Sequence, residues 1–201
     1  MSPGREAKRV SVTKAGQCTP PDDRGHATAQ GKGCNLQVAE ISAFLGSALT
    51  TIDPKGRMAI PASFRNPLIY ASKGESLAVL SFNAEGQCLQ GCGTSRLDSL
   101  LQQMQHREEM ANAQGEEFRT EVFGGPRFNT TFRITFDGSG RLILPKLLVA
   151  MARIDKHVFF SGNGTDFSVW GVEHLLSLDD PRLASQQYVA RFLMDELGGK
   201  A

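Results

Sequence analysis

The chain has 201 residues, 40% of them apolar and 21% charged, with a formal net charge of +1. This is the composition of an ordinary globular protein, long enough for one large domain or two small ones. No apolar run approaches the roughly 18–20 residues of a membrane-spanning helix, and Arg5, Lys8 and Arg9 have no apolar stretch behind them to form a secretory signal, so the expected compartment is the cytoplasm.

Residues 1–40 contain Pro3, Pro20 and Pro21 and few aromatic or β-branched residues. Such a stretch buries too little surface to offset its ordering entropy and is predicted to be a disordered extension. Gly31-Lys32-Gly33 falls inside it, without the strand and helix that a phosphate loop requires. From Ile41 onward the chain has 16 Lys and Arg against 17 Asp and Glu. A surface for a polyanion must therefore be local.

The remainder repeats itself. A shift of 84 positions lays Phe44 on Phe128, Thr51 on Thr135, Asp53 on Asp137, Gly56 on Gly140, Arg57 on Arg141 and Pro61 on Pro145. Apolar parity matches as well: Ala48, Ile52, Met58 and Ile60 correspond to Phe132, Phe136, Leu142 and Leu144. Alternation on both sides of a turn marks a hairpin with one buried face. The first copy predicts strands at 47–52, 57–60, 77–82 and 87–91, with a short helix after Pro61. Ser95 to Ala113 follows as a helix whose Leu97, Leu100, Leu101, Met104 and Met110 form one apolar stripe, expected to pack on the core. An acidic stretch and Gly124-Gly125-Pro126 then read as a linker.

The second copy predicts strands at 131–136, 141–144, 157–161 and 167–171, with a helix after Pro145. Residues 181–197 form an amphipathic C-terminal helix carrying Leu183, Tyr188, Phe192, Leu193 and Leu197, suited to subunit contacts. The class is α+β, a duplicated β/α unit. Its expected boundaries are 41–115 for the first half with its helix, 116–130 for the linker and 131–201 for the second half.

The chemistry lies in the turns. In Asp53-Pro54-Lys55-Gly56-Arg57 the aspartate opens a turn by accepting backbone amides, and the proline presets the next φ. Gly56 takes the position needing a positive φ. Asp137-Gly138-Ser139-Gly140-Arg141 keeps the aspartate, the second glycine and the arginine. An exposed Arg57 or Arg141 can grip guanine O6 and N7 in a major groove that a two-stranded ribbon is narrow enough to enter. Lys55 suits phosphate as a point charge. The competing reading is that Asp and Arg simply pair across each turn.

The run Phe44-Leu45-Gly46, followed by Thr51-Ile52-Asp53-Pro54-Lys55-Gly56-Arg57-Met58-Ala59-Ile60-Pro61-Ala62-Ser63-Phe64-Arg65, resembles the opening of the MraZ family. Phe136-Asp137-Gly138-Ser139-Gly140-Arg141-Leu142-Ile143-Leu144-Pro145 is similar to that family's second motif, and Phe167-Ser168-Val169-Trp170 to its C-terminal part. The resemblance implies two tandem AbrB-like swapped-hairpin half-domains forming an intrachain pseudo-dimer, assembled into ring-shaped homo-oligomers. It implies a bacterial regulator at the nucleoid, with a repressive effect. Its partner would be double-stranded DNA, at short G-containing direct repeats upstream of the division and cell-wall gene cluster. Arg57, Arg141, Lys55 and Arg65 would contact DNA, while Asp53, Gly56, Asp137 and Gly140 would shape the turns.

Two positions depart from the pattern: Ser139 replaces the lysine of the second motif, and Val149 replaces the arginine that Arg65 provides. The first half is therefore expected to bind phosphate more strongly. Because the ordered region is near neutral, affinity must come from repetition of the hairpins in an oligomer.

An AbrB-type antitoxin and a protein-interaction module remain as alternatives. An enzyme is not expected, since His26, His106, His157 and His174 are scattered and no nucleophile motif occurs. Cys18, Cys34, Cys88 and Cys92 lack the spacing of a zinc set and are expected to be reduced thiols. No metal, cofactor, membrane or small-molecule substrate is expected.

Overall fold

The structure, a computed structural model, describes residues 43–198. The extension expected over 1–40, with Cys18, Cys34 and His26, lies outside the described residues.

In chain order the elements are β1 (Ser47–Thr51), β2 (Arg57–Ala59), α1 (Ala62–Ala71), β3 (Leu77–Asn83), β4 (Cys88–Cys92) and α2 (Thr94–Ala113). Next come α3 (Thr120–Phe123), α4 (Gly125–Phe128), β5 (Phe132–Thr135), β6 (Arg141–Ile143) and α5 (Lys146–Met151). The chain continues with β7 (His157–Gly162), β8 (Phe167–Gly171), α6 (Val172–Ser177), a 3₁₀ turn at Pro181–Leu183 and α7 (Ala184–Gly198). All eight predicted strands form, within a residue or so at each end. Pro61 and Pro145 stand at the caps of α1 and α5 with φ near −55°, where a missing amide donor does no harm.

The strands make a mixed α and β architecture with antiparallel pairing throughout. Six run in the order β1-β7-β8-β4-β3-β5, while β2 and β6 form a separate two-stranded ribbon. Only β3–β4 and β7–β8 join strands of the same repeat copy. The other ladders cross between copies: β1 with β7, β2 with β6, β3 with β5 and β4 with β8.

The ribbon explains the alternation. Met58, Ile60, Leu142 and Leu144 are buried beneath it, and Arg57, Arg141 and Ile143 are exposed on its other side. Under the ribbon Phe44, Phe64, Phe160 and Phe167 form an aromatic cluster with centroids 5.0–6.1 Å apart, spacings at which rings pack favourably. A second cluster gathers Cys88, Phe159, Trp170, Val172, Leu175 and Ala190 beneath α6 and α7.

One expectation needs correction, and two gain detail. The apolar stripe of α2 does not lie on the core: none of its residues is buried, and Leu101 and Met110 are 40% and 49% exposed. Leu97 alone of the stripe joins the patch formed by Leu77, Val79 and Cys92. A 20-residue helix is about 30 Å long and outruns so small a seat.

The expected linker contains the two helical turns α3 and α4. Gly124 between them is buried against Met104, where an added Cβ would lie 3.0 Å from the sulfur. The C-terminal stripe also divides. Leu183 and Leu193 pack on the second cluster, whereas Tyr188 and Phe192 are 72% and 54% exposed on the far side, and Leu197, one turn beyond Leu193 near the helix end, is 50% exposed.

Candidate nucleic-acid interface

Each turn is built by its aspartate. Asp53 Oδ1 accepts the amides of Lys55 and Arg57, both at 2.9 Å, and the Asp53 carbonyl accepts the Gly56 amide at 2.9 Å. Asp137 repeats this with Ser139 and Arg141 at 2.8 Å and Gly140 at 2.7 Å. Gly56 and Gly140 both have φ +81°, a left-handed conformation that glycine adopts without a Cβ penalty.

The two turns clasp each other across the copies. The Gly56 carbonyl accepts the Leu144 amide at 2.8 Å, and the Gly140 carbonyl accepts the Ile60 amide at 2.8 Å. There is no room for a side chain at either glycine: a Cβ on Gly56 would lie 2.7 Å from the Leu144 carbonyl oxygen, and one on Gly140 would lie 2.8 Å from that of Ile60.

β2 and β6 pair with Arg57 opposite Ile143 and Ala59 opposite Arg141. The two arginines are thus diagonal neighbours on the solvent face, one beside each turn. Such neighbours lie roughly 7–8 Å apart at the backbone, within reach of a common ligand. An open groove of about 1050 Å³ runs beside the ribbon, lined among others by Arg57, Arg133, Asp137, Arg141, Thr51 and Thr135.

The arginines differ in their tethers. Arg57 Nε donates to Asp53 Oδ2 at 2.6 Å. Hydrogen bonds from the Arg57 amide and then its side chain hold the Asp53 carboxyl below the ordinary carboxylate range. The pairing across the turn is therefore realised in the first copy. The Arg141 guanidinium has no such partner among the described residues. Lys55 is exposed at the first tip, as is Ser139 at the second.

Arg65 stands apart. It is half-buried on α1, donates Nε to the Ile60 carbonyl at 2.8 Å and presses against Gly140. It braces the junction between the turns, a role that no local motif announces. Arg133 is the residue of the groove that sequence reasoning misses. A lone arginine on an alternating strand has no local signature, and only the groove brings it beside the other two.

Cys88 and Cys92 are free and buried, and burial pushes both thiols up to about 11. Among the described residues no three His, Cys, Asp or Glu side chains stand together as a metal site, and no helix is long and apolar enough to cross a membrane.

No family model matches the chain. Curated relatives do. The transcriptional regulator MraZ of Rickettsia akari (strain Hartford) is 28% identical over 153 residues, covering 75% of this chain and 93% of the relative. That of Rickettsia bellii (strain OSU 85-389) is 32% identical over 119 residues, covering 59% of this chain and 74% of the relative. That of Rickettsia rickettsii (strain Sheila Smith) is 29% identical over 133 residues, 65% of this chain and 82% of the relative. Paired turns of one design and relatives matched over most of their length lead to the same place: the chain belongs to the MraZ family of transcriptional regulators.

Proposed function

We propose that this chain is a DNA-binding transcriptional regulator that inserts the β2–β6 ribbon into the major groove. The observation that carries the reading is the diagonal placement of Arg57 and Arg141 on the one solvent-facing side of that ribbon. A two-stranded ribbon fits the major groove, and arginine is the side chain that reads guanine there. Arg57 and Arg141 take the base contacts. Lys55 takes phosphate, and so do the terminal nitrogens of Arg65, whose Nε is held by Ile60.

The cross-copy ladders support reading 41–115 and 131–201 as two AbrB-like half-domains that exchange strands as a pseudo-dimer, joined through 116–130. The apolar residues exposed on α2 and α7 support assembly into a ring-like homo-oligomer, because isolated monomers rarely leave such surface uncovered. A ring presents many ribbons to successive G-containing direct repeats, which supplies the affinity a near-neutral protomer lacks. Family likeness points to repression upstream of the division and cell-wall gene cluster, at the nucleoid in the cytoplasm, without cofactor or small-molecule substrate.

The test is a gel-shift titration with the DNA upstream of the chain's own reading frame against a scrambled duplex. Arg57→Ala and Arg141→Ala are each expected to lose preference by about 1–3 kcal/mol while remaining folded. Lys55→Ala is expected to weaken both duplexes alike and lower the salt slope by about one. Folded arginine variants that bind like wild type would refute the assignment.

A further inference from the structure

The likeness of the two copies ends at the strands flanking the ribbon. β1 and β5 occupy matching places in the repeat, and their outward-facing residues Leu49 and Arg133 correspond under the shift of 84. Leu49 is partly buried in the cluster beneath α7, which lies along β1. Arg133 is exposed, since α2 and α4 rest on the neighbouring β3. One flank of the ribbon is thus roofed by a helix, and the other is open and carries a cation.

Arg133 lines the same groove as Arg57 and Arg141, and its guanidinium makes no ion pair among the described residues. The carboxylate lining that groove, Asp137, already accepts two backbone amides through Oδ1. Arg57 is paired with Asp53, but Arg133 and Arg141 bring two guanidiniums without an ion pair among the described residues to a groove lined by one carboxylate, a surface for an anion. Arg133 precedes Asp137 by four residues, so it stands roughly 13 Å back along the strand, about four base-pair steps of 3.4 Å. That is too far to share a base pair with Arg141. With the ribbon in the major groove, the flanking strand lies over the sugar–phosphate wall.

We propose that Arg133 is a further DNA contact, a phosphate clamp that extends the binding face from the ribbon onto β5 on one side only. This rests on the DNA-binding reading above and adds direction to it. Arg57 and Arg141 alone, related by near two-fold symmetry, grip a site in either sense. A clamp on one flank, opposite a flank closed by α7, fixes the orientation of the chain along the duplex. Successive protomers then favour repeats of one polarity over inverted half-sites.

The experiment uses the full chain, the duplex upstream of its reading frame and a scrambled duplex, titrated between about 50 and 200 mM salt, with hydroxyl-radical footprinting. Arg133→Gln is expected to bind roughly tenfold more weakly at low salt, with a salt slope smaller by about one. It should keep its preference for the upstream duplex and lose protection on one flank of each box. Arg133→Lys should restore the slope and that flank, as expected for a point charge on phosphate.

A folded Arg133→Gln variant with the wild-type slope and footprint would overturn the proposal alone, as would loss of protection on both flanks. A wild-type chain that binds neither duplex would overturn the DNA reading, and the clamp with it.

Discussion

Asp53 holds Arg57 twice, accepting its amide through Oδ1 at 2.9 Å and its Nε through Oδ2 at 2.6 Å. Asp137 holds Arg141 through the amide alone, at 2.8 Å. Arg57 is therefore oriented before any ligand arrives, whereas Arg141 must lose side-chain freedom on binding. Ordering a long side chain costs about 0.5–1.5 kcal/mol. Asp53→Asn is accordingly expected to reduce preference for the upstream duplex about two- to tenfold, mainly through faster dissociation. Asp137→Asn should change it by less than twofold. Dissociation rates measured by surface resonance would separate the two, and equal effects would show that the tether does not matter.

The glycines of the two turns make a separate prediction about stability. Gly56→Ala puts a Cβ at φ +81° and 2.7 Å from the Leu144 carbonyl oxygen. The strain should cost on the order of 1–3 kcal/mol, read as a lower urea midpoint. Gly140→Ala meets the Ile60 carbonyl and also the Arg65 guanidinium, so it should cost more. Adding Arg65→Ala to each variant should narrow the difference, and a gap that stays unchanged would rule out the clash with Arg65.

His174 is 6% exposed, and its Nε2 has no hydrogen-bond partner among the described residues. Burial and then the charge of Arg153 push its pKa below the ordinary histidine value. Above the unfolded pKa of about 6.5 the imidazole is neutral in both states, and its contribution is fully present. As pH falls toward the depressed folded pKa, the unfolded chain takes up a proton that the folded chain refuses, so stability declines. His174→Leu should flatten that part of the profile. Urea midpoints for both proteins between about pH 8 and pH 5.5 check this, and parallel curves would exclude His174 as the source.

Tyr188 and Phe192 stand one helical turn apart on the outward face of α7. Light scattering is expected to find the wild-type chain larger than a monomer, and Phe192→Glu to find it smaller. Circular dichroism should be unaltered, because Phe192 is not among the residues packed on the core clusters. A monomeric wild type at micromolar concentration would remove the oligomer from the proposed function.

Much of this fold was legible because the features concerned are local. The Asp-x-x-Gly-Arg spacing dictates an Asx turn with a positive φ at its glycine, and alternation separated Met58 and Leu142 from Arg57 and Arg141. Partner choice was not legible. Alternation tells which face of a strand is buried, not which copy supplies its neighbour, so Arg57 opposite Ile143 could not be read from either hairpin. The stripe of α2 misleads for a related reason: Leu97, Leu101 and Met104 have the i, i+4, i+7 spacing of a buried face, but the sheet offers α2 little more than Leu77, Val79 and Cys92. The resemblance assigns Arg65 to DNA, and nothing nearby in sequence reveals that the Gly140 turn arrives against it from the other copy.

The crossed ladders also govern the order of events during synthesis. Ser47 emerges early but pairs with Ser161, and Arg57 waits for Ile143. Closing such long loops is slow, because the entropy is lost before the contacts form. The β3–β4 hairpin can form as it leaves the ribosome, while β1 and β2 must wait with their apolar sides uncovered until the second copy follows. The nascent first half is thus the stage most exposed to aggregation or to pairing with a neighbouring chain's second half, and slowed translation between residues 60 and 140 should lengthen that exposure.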